Sequence, residues 1–358
     1  MKNFKILTVL IVATLLLSGC CNNNNEAPSC KAPKNVIMII GDGMGPTQVY
    51  SLLLTSKVPT AFERFPYSGF SITKSANKPI TDSAAGGSAI ANGNKSNNGN
   101  IGMNADSIPQ PSMLDLLAEK GKKTGVVVTC EVTHATPAAF IAHNVSRKNQ
   151  EEIAIEIANR EKLDVLFGGG KKRFTEREDG ENLLDKMFDN GWNIYDSLEQ
   201  ITDNNARTMV LAARKHMPEA DERGDFLPKA TAKALEMLDN ENGFFLMIEG
   251  SQIDFASHQN DSAYLVDEMI DFNNMLNVVL DFAEKDQNTL VVVTADHETG
   301  GLTIIDPAGK YTTTEFRFST GSHTPTFAPI FSYGPCAERF SGIMDNTQIF
   351  HRVMALYK

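Results

Sequence analysis

Four runs of aliphatic and β-branched residues, Asn35 to Ile40, Gly125 to Thr129, Phe244 to Ile248 and Thr289 to Thr294, show no polar alternation. A strand with one wet face would alternate, so these runs predict strands buried on both faces of a parallel sheet. Ala328 to Tyr333 is a fifth and weaker strand candidate. Between the runs lie helix-like stretches: Ser112 to Lys120, stopped by Gly121, then Gln150 to Arg160, Leu227 to Asp239 and Ser262 to Glu284. Strands that alternate with helices predict an α/β fold with a doubly wound, mostly parallel central sheet flanked by helices on both faces. No repeat of fixed period is present, which argues against a solenoid.

The first residues break this pattern. Lys2 and Lys5 precede the apolar stretch Ile6 to Leu17, which is shorter than the about 20 residues that span a bilayer and has the length of a signal-peptide core. Leu17-Ser18-Gly19-Cys20 has the form of a bacterial lipobox. Residues 1–19 are therefore expected to be a signal peptide, and Cys20 a lipidated N-terminus that attaches the protein to a membrane. Residues 20–33, with Cys21 and the run Asn22 to Asn25, read as a flexible tether, and residues 34–358 as one large folded domain. The expected location is the bacterial cell envelope, facing the periplasm or the cell surface. Disulfides are permitted there. Cys130 and Cys336 each follow a strand-like run and could be buried free thiols or one bridge.

Charge narrows the partners. There are 33 Lys and Arg against 44 Asp and Glu, a formal net charge of -11, and no basic block. Nucleic-acid binding by a basic face is excluded on that ground. An anionic substrate would need a local attraction, and bound metal cations are the obvious source.

Polar clusters follow each strong strand. Gly41-Asp42-Gly43-Met44-Gly45 follows the first, Glu131 to Pro137 with His134 and Thr136 the second, Glu249-Gly250 the third, and Ala295-Asp296-His297-Glu298-Thr299 the fourth. Ligands of open α/β sheets bind beyond the carboxyl ends of the strands, so these clusters should converge. Asp42, Glu249, Asp254, His258, Asp296, His297 and His323 are hard or borderline ligands for divalent cations. Asp254 and His258 are four apart and share a face if that segment is helical. Ser83 lies in Thr81-Asp82-Ser83-Ala84-Ala85-Gly86-Gly87-Ser88. Small residues there allow a closely packed helix whose N-terminal dipole favours an alkoxide or a phosphate.

These motifs resemble the alkaline phosphatase family. The resemblance rests on Ile40 to Gly45, Thr81 to Ala85, His134 to Ala139 leading to Ser146-Arg147, Glu249-Gly250 with Ile253-Asp254 and His258, Thr294 to Gly300, and His323-Thr324. The glycine-rich stretch Leu166 to Gly170 is also similar. The resemblance implies hydrolysis of small-molecule phosphate monoesters, with Ser83 as the nucleophile that becomes phosphorylated. It implies one zinc held by Asp254, His258 and His323, a second by Asp42, Asp296 and His297, and a magnesium by Asp42, Thr136 and Glu249. Arg147 would grip two phosphate oxygens, oriented by Asp82, with His134 beside the third metal. Three dications and Arg147 would outweigh the four carboxylates, so a dianion could bind despite the acidic whole. The resemblance also allows a homodimer.

Two positions depart from the best-known bacterial pattern: His134 stands where that pattern has Asp, and Phe255 where it has Lys. Rival readings are a phosphodiesterase of the same superfamily and a lipoprotein that binds phosphate or metal without turnover. The diesterases generally use Thr as nucleophile and lack the Arg147 and third-metal constellation, and a binder needs no Ser83. A sulfatase would need a C/S-x-P-x-R context that Ser83 does not have. Among the remaining histidines, His143 reads as a packed helix or turn residue, His216 and His351 as solvated. Glu298 and Thr299 read as loop supports.

Overall fold

In the computed structural model, residues 30–56, 59–309 and 313–358 are described. The expected signal peptide, Cys20, Cys21 and most of the expected tether lie outside the described residues. The strands in chain order are β1 Asn35–Gly41, β2 Tyr67–Ile72, β3 Lys123–Glu131, β4 Val165–Gly169, β5 Asn193–Tyr195, β6 Thr208–Ala213, β7 Phe244–Gly250 and β8 Thr289–Thr294. They continue with β9 Glu298–Thr299, β10 Leu302–Ile305, β11 Glu315–Phe318, β12 His323–Thr324, β13 Ala328–Tyr333 and β14 Gly342–Asp345. Ten of them form one sheet in the order β14-β2-β13-β8-β1-β7-β3-β4-β6-β5. All five strand candidates from the sequence are strands of it. The run from β8 to β5 is parallel throughout, and β13 pairs antiparallel with both β8 and β2.

The missing alternation has the expected cause. Val36, Met38 and Ile40 of β1 belong to one core with Ile90, Leu114 and Phe140. Ile37 and Ile39 belong to the other, with Leu52, Phe272 and Leu276. Each face of β1 is covered by helices, and each fully buried aliphatic side chain contributes about 1.5–3 kcal/mol. The long helix Ser262–Asp286 turns Leu265, Met269, Phe272, Leu276, Val279 and Leu280 inward at helical spacing, while the Asp261 carboxylate caps it on the amides of Ala263 and Tyr264. Met113–Glu119, Gln150–Ala158 and Phe226–Leu238 are the other helices that the sequence predicts. No helix among the described residues is long and apolar enough to cross a membrane.

Segments that the sequence pattern missed include β2, β6 and the helix Pro46–Thr55, each of which is buried over only part of its length. Leu166 to Gly170, noted above only as glycine-rich, falls largely in β4. A Cβ on Gly169 would lie 2.1 Å from the Lys215 carbonyl oxygen. The cysteine alternatives are also resolved: Cys336 is disulfide-bonded, whereas Cys130 is a buried free thiol. A Cys130–Cys336 bridge is thereby excluded.

His143 pins the loop that carries Arg147. Its Nδ1 lies 2.7 Å from Glu156 Oε1, its Nε2 3.0 Å from the Gln110 carbonyl, and its amide donates to Glu156 Oε2 at 2.8 Å. Hydrogen bonding to Glu156 raises the imidazole above its ordinary pKa of 6.5. A raised pKa stabilises the fold below the unfolded value, and the contribution disappears as pH rises through the folded one. For this partly exposed pair it amounts to about 1 kcal/mol at most. His143→Gln should therefore lower the melting temperature more at pH 6 than at pH 9. Equal losses at both pH values would show that the ion pair contributes nothing.

Candidate active site

Register brings the polar clusters together. Ile40 of β1 is level with Glu249 of β7 on one side and Thr294 of β8 on the other, and Val128 of β3 is level with Glu249. The carboxyl ends of these four interior parallel strands lie on one side of the sheet. Asp42, the segment Glu131 to Thr136, Glu249 and Asp296-His297 consequently share that side.

Ser83 begins the helix Ser83–Asn92, in which every residue is buried. Only small residues permit this packing: a Cβ on Gly86 would stand 2.8 Å from the Asp296 carbonyl oxygen. Asp82 caps the helix by accepting from the Ala85 amide at 3.0 Å through Oδ1. Its Oδ2 accepts from the Gly99 amide at 2.9 Å and faces Arg147 Nη1 at 3.4 Å. Ser83 Oγ lies 3.2 Å from His297 Nε2 and 3.5 Å from Arg147 Nη1. Arg147 Nη2 lies 3.3 Å from His134 Nε2.

Two carboxylate and imidazole clusters flank Ser83. Asp254 and His258 lie on the helix Gln252–Gln259, with Asp254 Oδ1 3.4 Å from His258 Nε2. The short antiparallel pair β9–β12 sets His323 opposite Thr299. His323 Nε2 thereby comes 3.8 Å from Asp254 Oδ1 and 3.1 Å from His258 Nε2. Backbone carbonyls aim both imidazoles: Gly321 lies 2.8 Å from His258 Nδ1, and Thr81 lies 2.9 Å from His323 Nδ1. The second cluster is Asp42, Asp296 and His297, all fully buried. His297 stacks on His323 with ring centroids 3.6 Å apart, so the two clusters adjoin.

Beside Asp42, Thr136 Oγ1 donates to Asp42 Oδ2 at 3.4 Å. Glu249 Oε2 accepts from Ser251 Oγ at 2.6 Å and from Cys130 Sγ at 3.2 Å. In three of these acids one oxygen is anchored and the other is left over. Asp296 Oδ1 accepts from the amides of Gly43 and His297, whereas Asp296 Oδ2, Asp42 Oδ1 and Glu249 Oε1 are buried without a hydrogen bond. His297 Nε2 stands near Asp42 Oδ1 and Asp296 Oδ2, at 3.5 and 3.1 Å, but is not aligned to bond either. Burial pushes Asp42 well above its ordinary pKa, helped by the Asp296, Asp254 and Glu249 charges. It pushes Glu249 up to about 7 and raises Asp296 as well. It also holds His297 and His134 well below the ordinary imidazole value, with His323 acting further on the first and Arg147 on the second. Buried oxygens without donors beside neutral imidazoles are what a divalent cation requires, so the donor set fits metal.

A family model described as alkaline phosphatase matches residues 33–315. The chain belongs to the alkaline phosphatase family. It is similar to alkaline phosphatase 3 of Bacillus subtilis, 31% identical with 89% of this chain and 88% of that one covered. The alkaline phosphatase of Escherichia coli is 28% identical, with 92% and 87% covered. Among solved structures, the alkaline phosphatase of the Antarctic bacterium TAB5 superposes with a TM-score of 0.88 at 39% identity, covering 92% of this chain and 98% of that one. Two variants of that enzyme, each with one histidine replaced by an acid, have Mg bound in the M3 site. As a member of the family this protein is a phosphatase that works with divalent metals. His323 lies past the end of the family match, and the pairing of β9 with β12 brings it to the site.

Every site residue expected from the sequence lies in this one constellation, together with three that were not expected there. His216, read above as solvated, is half-buried: its Nδ1 accepts from the Glu131 amide at 3.1 Å, and its ring meets Phe255 edge-on at 5.0 Å and His134 at 5.6 Å. The charged neighbours Arg214 and Lys215 suggest a solvated position, and both are exposed, whereas His216 itself packs against Phe255. Cys130 bonds to Glu249. Thr299 Oγ1 donates to Asp254 Oδ1 and lies 3.2 Å from His297 Nδ1, so it braces both clusters. Glu298 supports the loop, as expected, by accepting from Gln48 Nε2 at 2.9 Å.

A cation present at a hundred times its dissociation constant stabilises a fold by about 2.7 kcal/mol. Removing divalent ions with a chelator should lower the melting temperature by several degrees, and zinc with magnesium should restore it. A melting temperature indifferent to the chelator would show that these acids hold no cation.

Proposed function

We propose that this alkaline phosphatase hydrolyses phosphate monoesters to alcohol and inorganic phosphate through a phosphoserine at Ser83, with two zinc ions and one magnesium ion per site. One observation carries the reading: Ser83 Oγ, at the start of a buried helix, lies within 3.5 Å of both His297 and Arg147 and between two carboxylate and imidazole clusters. Asp254, His258 and His323 would hold one zinc, Asp42, Asp296 and His297 the other, and Asp42, Thr136 and Glu249 the magnesium. Bound dications supply positive charge for the phosphoryl oxygens and lower the pKa of a nearby hydroxyl or water.

The chain's own groups do the rest. Arg147, a planar donor held in place by Asp82, binds two phosphoryl oxygens at once, which a lysine could not reproduce. Ser83 Oγ, its proton released to solvent, attacks phosphorus in line; the P–O bond to the ester oxygen breaks, that oxygen takes a proton from water and leaves as the alcohol, and the serine is phosphorylated. Water then gives up a proton and attacks phosphorus, the bond to Ser83 Oγ breaks, and Ser83 takes up a proton as phosphate is released. Two inversions give net retention at phosphorus. The helix beginning at Ser83 favours negative charge at both stages through its N-terminal amides. His134, kept neutral by burial, offers Nε2 to Arg147 and leaves the guanidinium charge to the phosphate.

Ser83→Ala should lower turnover of a chromogenic monoester by on the order of 10^3-fold or more, as loss of a nucleophile does elsewhere, with the metal content unchanged. Full activity in that variant would refute the assignment. Arg147→Ala should weaken inhibition by inorganic phosphate about tenfold or more. Unchanged inhibition would remove Arg147 from the phosphate site, and faster hydrolysis of a diester than of the monoester would favour a phosphodiesterase. Residues 1–19 and Cys20 we read as a lipoprotein signal and anchor on their sequence alone. Cys20→Ala should move the protein from the membrane fraction to the soluble fraction of the producing bacterium, and no change in fractionation would argue against the anchor.

A further inference from the structure

Two short basic segments lie beside the site and take no part in the mechanism above. Lys171-Lys172-Arg173 comes just after β4, and Arg214-Lys215-His216 just after β6, its neighbour in the sheet. On the other side β4 borders β3, the strand that leads to His134. The backbone holds the two segments together, since the amides of Lys171 and Lys172 donate to the carbonyls of Ala213 and Arg214 at 3.1 and 3.0 Å. Glu131, buried at the end of β3, ties both to the site. Its amide donates to His216 Nδ1 at 3.1 Å, and its Oε2 accepts from Arg173 Nε at 2.7 Å. From His216 the contacts continue to His134, ring against ring, and from His134 Nε2 to Arg147 Nη2 at 3.3 Å.

Part of this charge is neutralised locally: Lys171 pairs with Asp196, Arg214 with Glu176 and Arg173 with Glu131. Lys172 and Lys215 have no ion pair among the described residues. Arg173 is bonded through Nε, and neither Nη nitrogen has a partner among the described residues. Burial lowers the His216 imidazole pKa, and Arg173, Lys215 and Lys172 lower it further against the opposing Glu131. The acids further along, Glu219, Asp221 and Glu222, gather instead with Asp261 at the start of the long helix. The rim at His216 is therefore positive in a chain whose net charge is -11.

We infer that Arg173, Lys172 and Lys215 form a subsite for a second phosphate, so that the preferred substrates are phosphate esters carrying another phosphate besides the one that reacts. The inference rests on the phosphomonoesterase reading above, because the reacting phosphate must sit at Ser83 and Arg147. Arg173 is the specific element: a guanidinium anchored by a buried carboxylate presents its terminal nitrogens as a fixed fork to an oxyanion. Asp82 holds Arg147 by the same device on the other side of His134. Lys172 and Lys215 add charge that attracts a polyanion to an otherwise acidic protein.

Fructose 1,6-bisphosphate and fructose 6-phosphate, each competing with a chromogenic monoester on the full-length protein with zinc and magnesium added, test this. The wild type should be inhibited about tenfold more tightly by the bisphosphate, more than its two reactive ends give by number. Arg173→Gln, and separately Lys172→Gln combined with Lys215→Gln, should each shrink that preference about threefold or more. The double lysine variant, at exposed or half-buried positions, carries the test if Arg173→Gln leaves Glu131 unpaired and fails to fold, as judged by its melting temperature. A wild type without preference for the bisphosphate, or a preference unaltered in every folded variant, overturns the subsite and leaves the phosphomonoesterase reading standing. No turnover of the chromogenic monoester overturns both.

Discussion

Four carboxylates buried within one small volume are the constraint on which this structure turns. Asp42, Glu249, Asp254 and Asp296 are each at most 4% exposed, and like charges at such separations repel strongly in a low-dielectric interior. The fold places them there because the ends of β1, β7 and β8 are adjacent and in register. It opposes their repulsion with well-packed cores on both faces of the sheet. Arg147 is the cation that faces this group, and it is only half-buried. The remaining balance comes from protons, which the raised pKa values of Asp42, Glu249 and Asp296 favour, or from bound divalent cations, which is why the burial of acids and the chemistry of the site are one problem here.

The hydrogen bonds around these acids have a common form. Each anchoring donor, the amides of Gly43 and His297, the hydroxyls of Thr136, Ser251 and Thr299, fixes one oxygen of a carboxylate. The other oxygen of Asp42, Asp296 and Glu249 is thereby aimed and left open. Imidazoles are treated alike, with carbonyls holding one nitrogen of His258 and His323 so that the other faces inward. Such outer partners set ligand orientation and basicity, and precision of that kind is needed where a displacement of about 1 Å is costly. Asp82 extends the same economy to Ser83 and Arg147, since it caps the Ser83 helix and faces the Arg147 guanidinium.

Phe255 and His216 give the His134 side of the site a different character from the rest. Their rings pack edge-on against each other and against His134, where a lysine at position 255 would bring a cation toward bound phosphate. On the proposed reading a phosphate product would be held less firmly without that charge, and burial together with the Arg147 charge keeps the His134 imidazole neutral. Cys130 lies on the same side and donates to Glu249.

The sequence by itself determined the central parallel sheet and the chemistry at the carboxyl ends of its strands. Unbroken apolar runs such as Thr289 to Thr294 require two buried faces, and polar clusters directly after such runs fall at the carboxyl ends of strands. Asp42, Glu249, Asp296 and His297 were legible for that reason, and Ser83 for the run of small residues that follows it. Tertiary structure decided what no local pattern encodes. His323 reaches its cluster through the pairing of β9 with β12, His216 is half-buried by contact with Phe255, and Cys130 meets Glu249 across two neighbouring strands. Each depends on side chains far apart in the chain, whose mutual distance is set by register and packing and not by the residues around them.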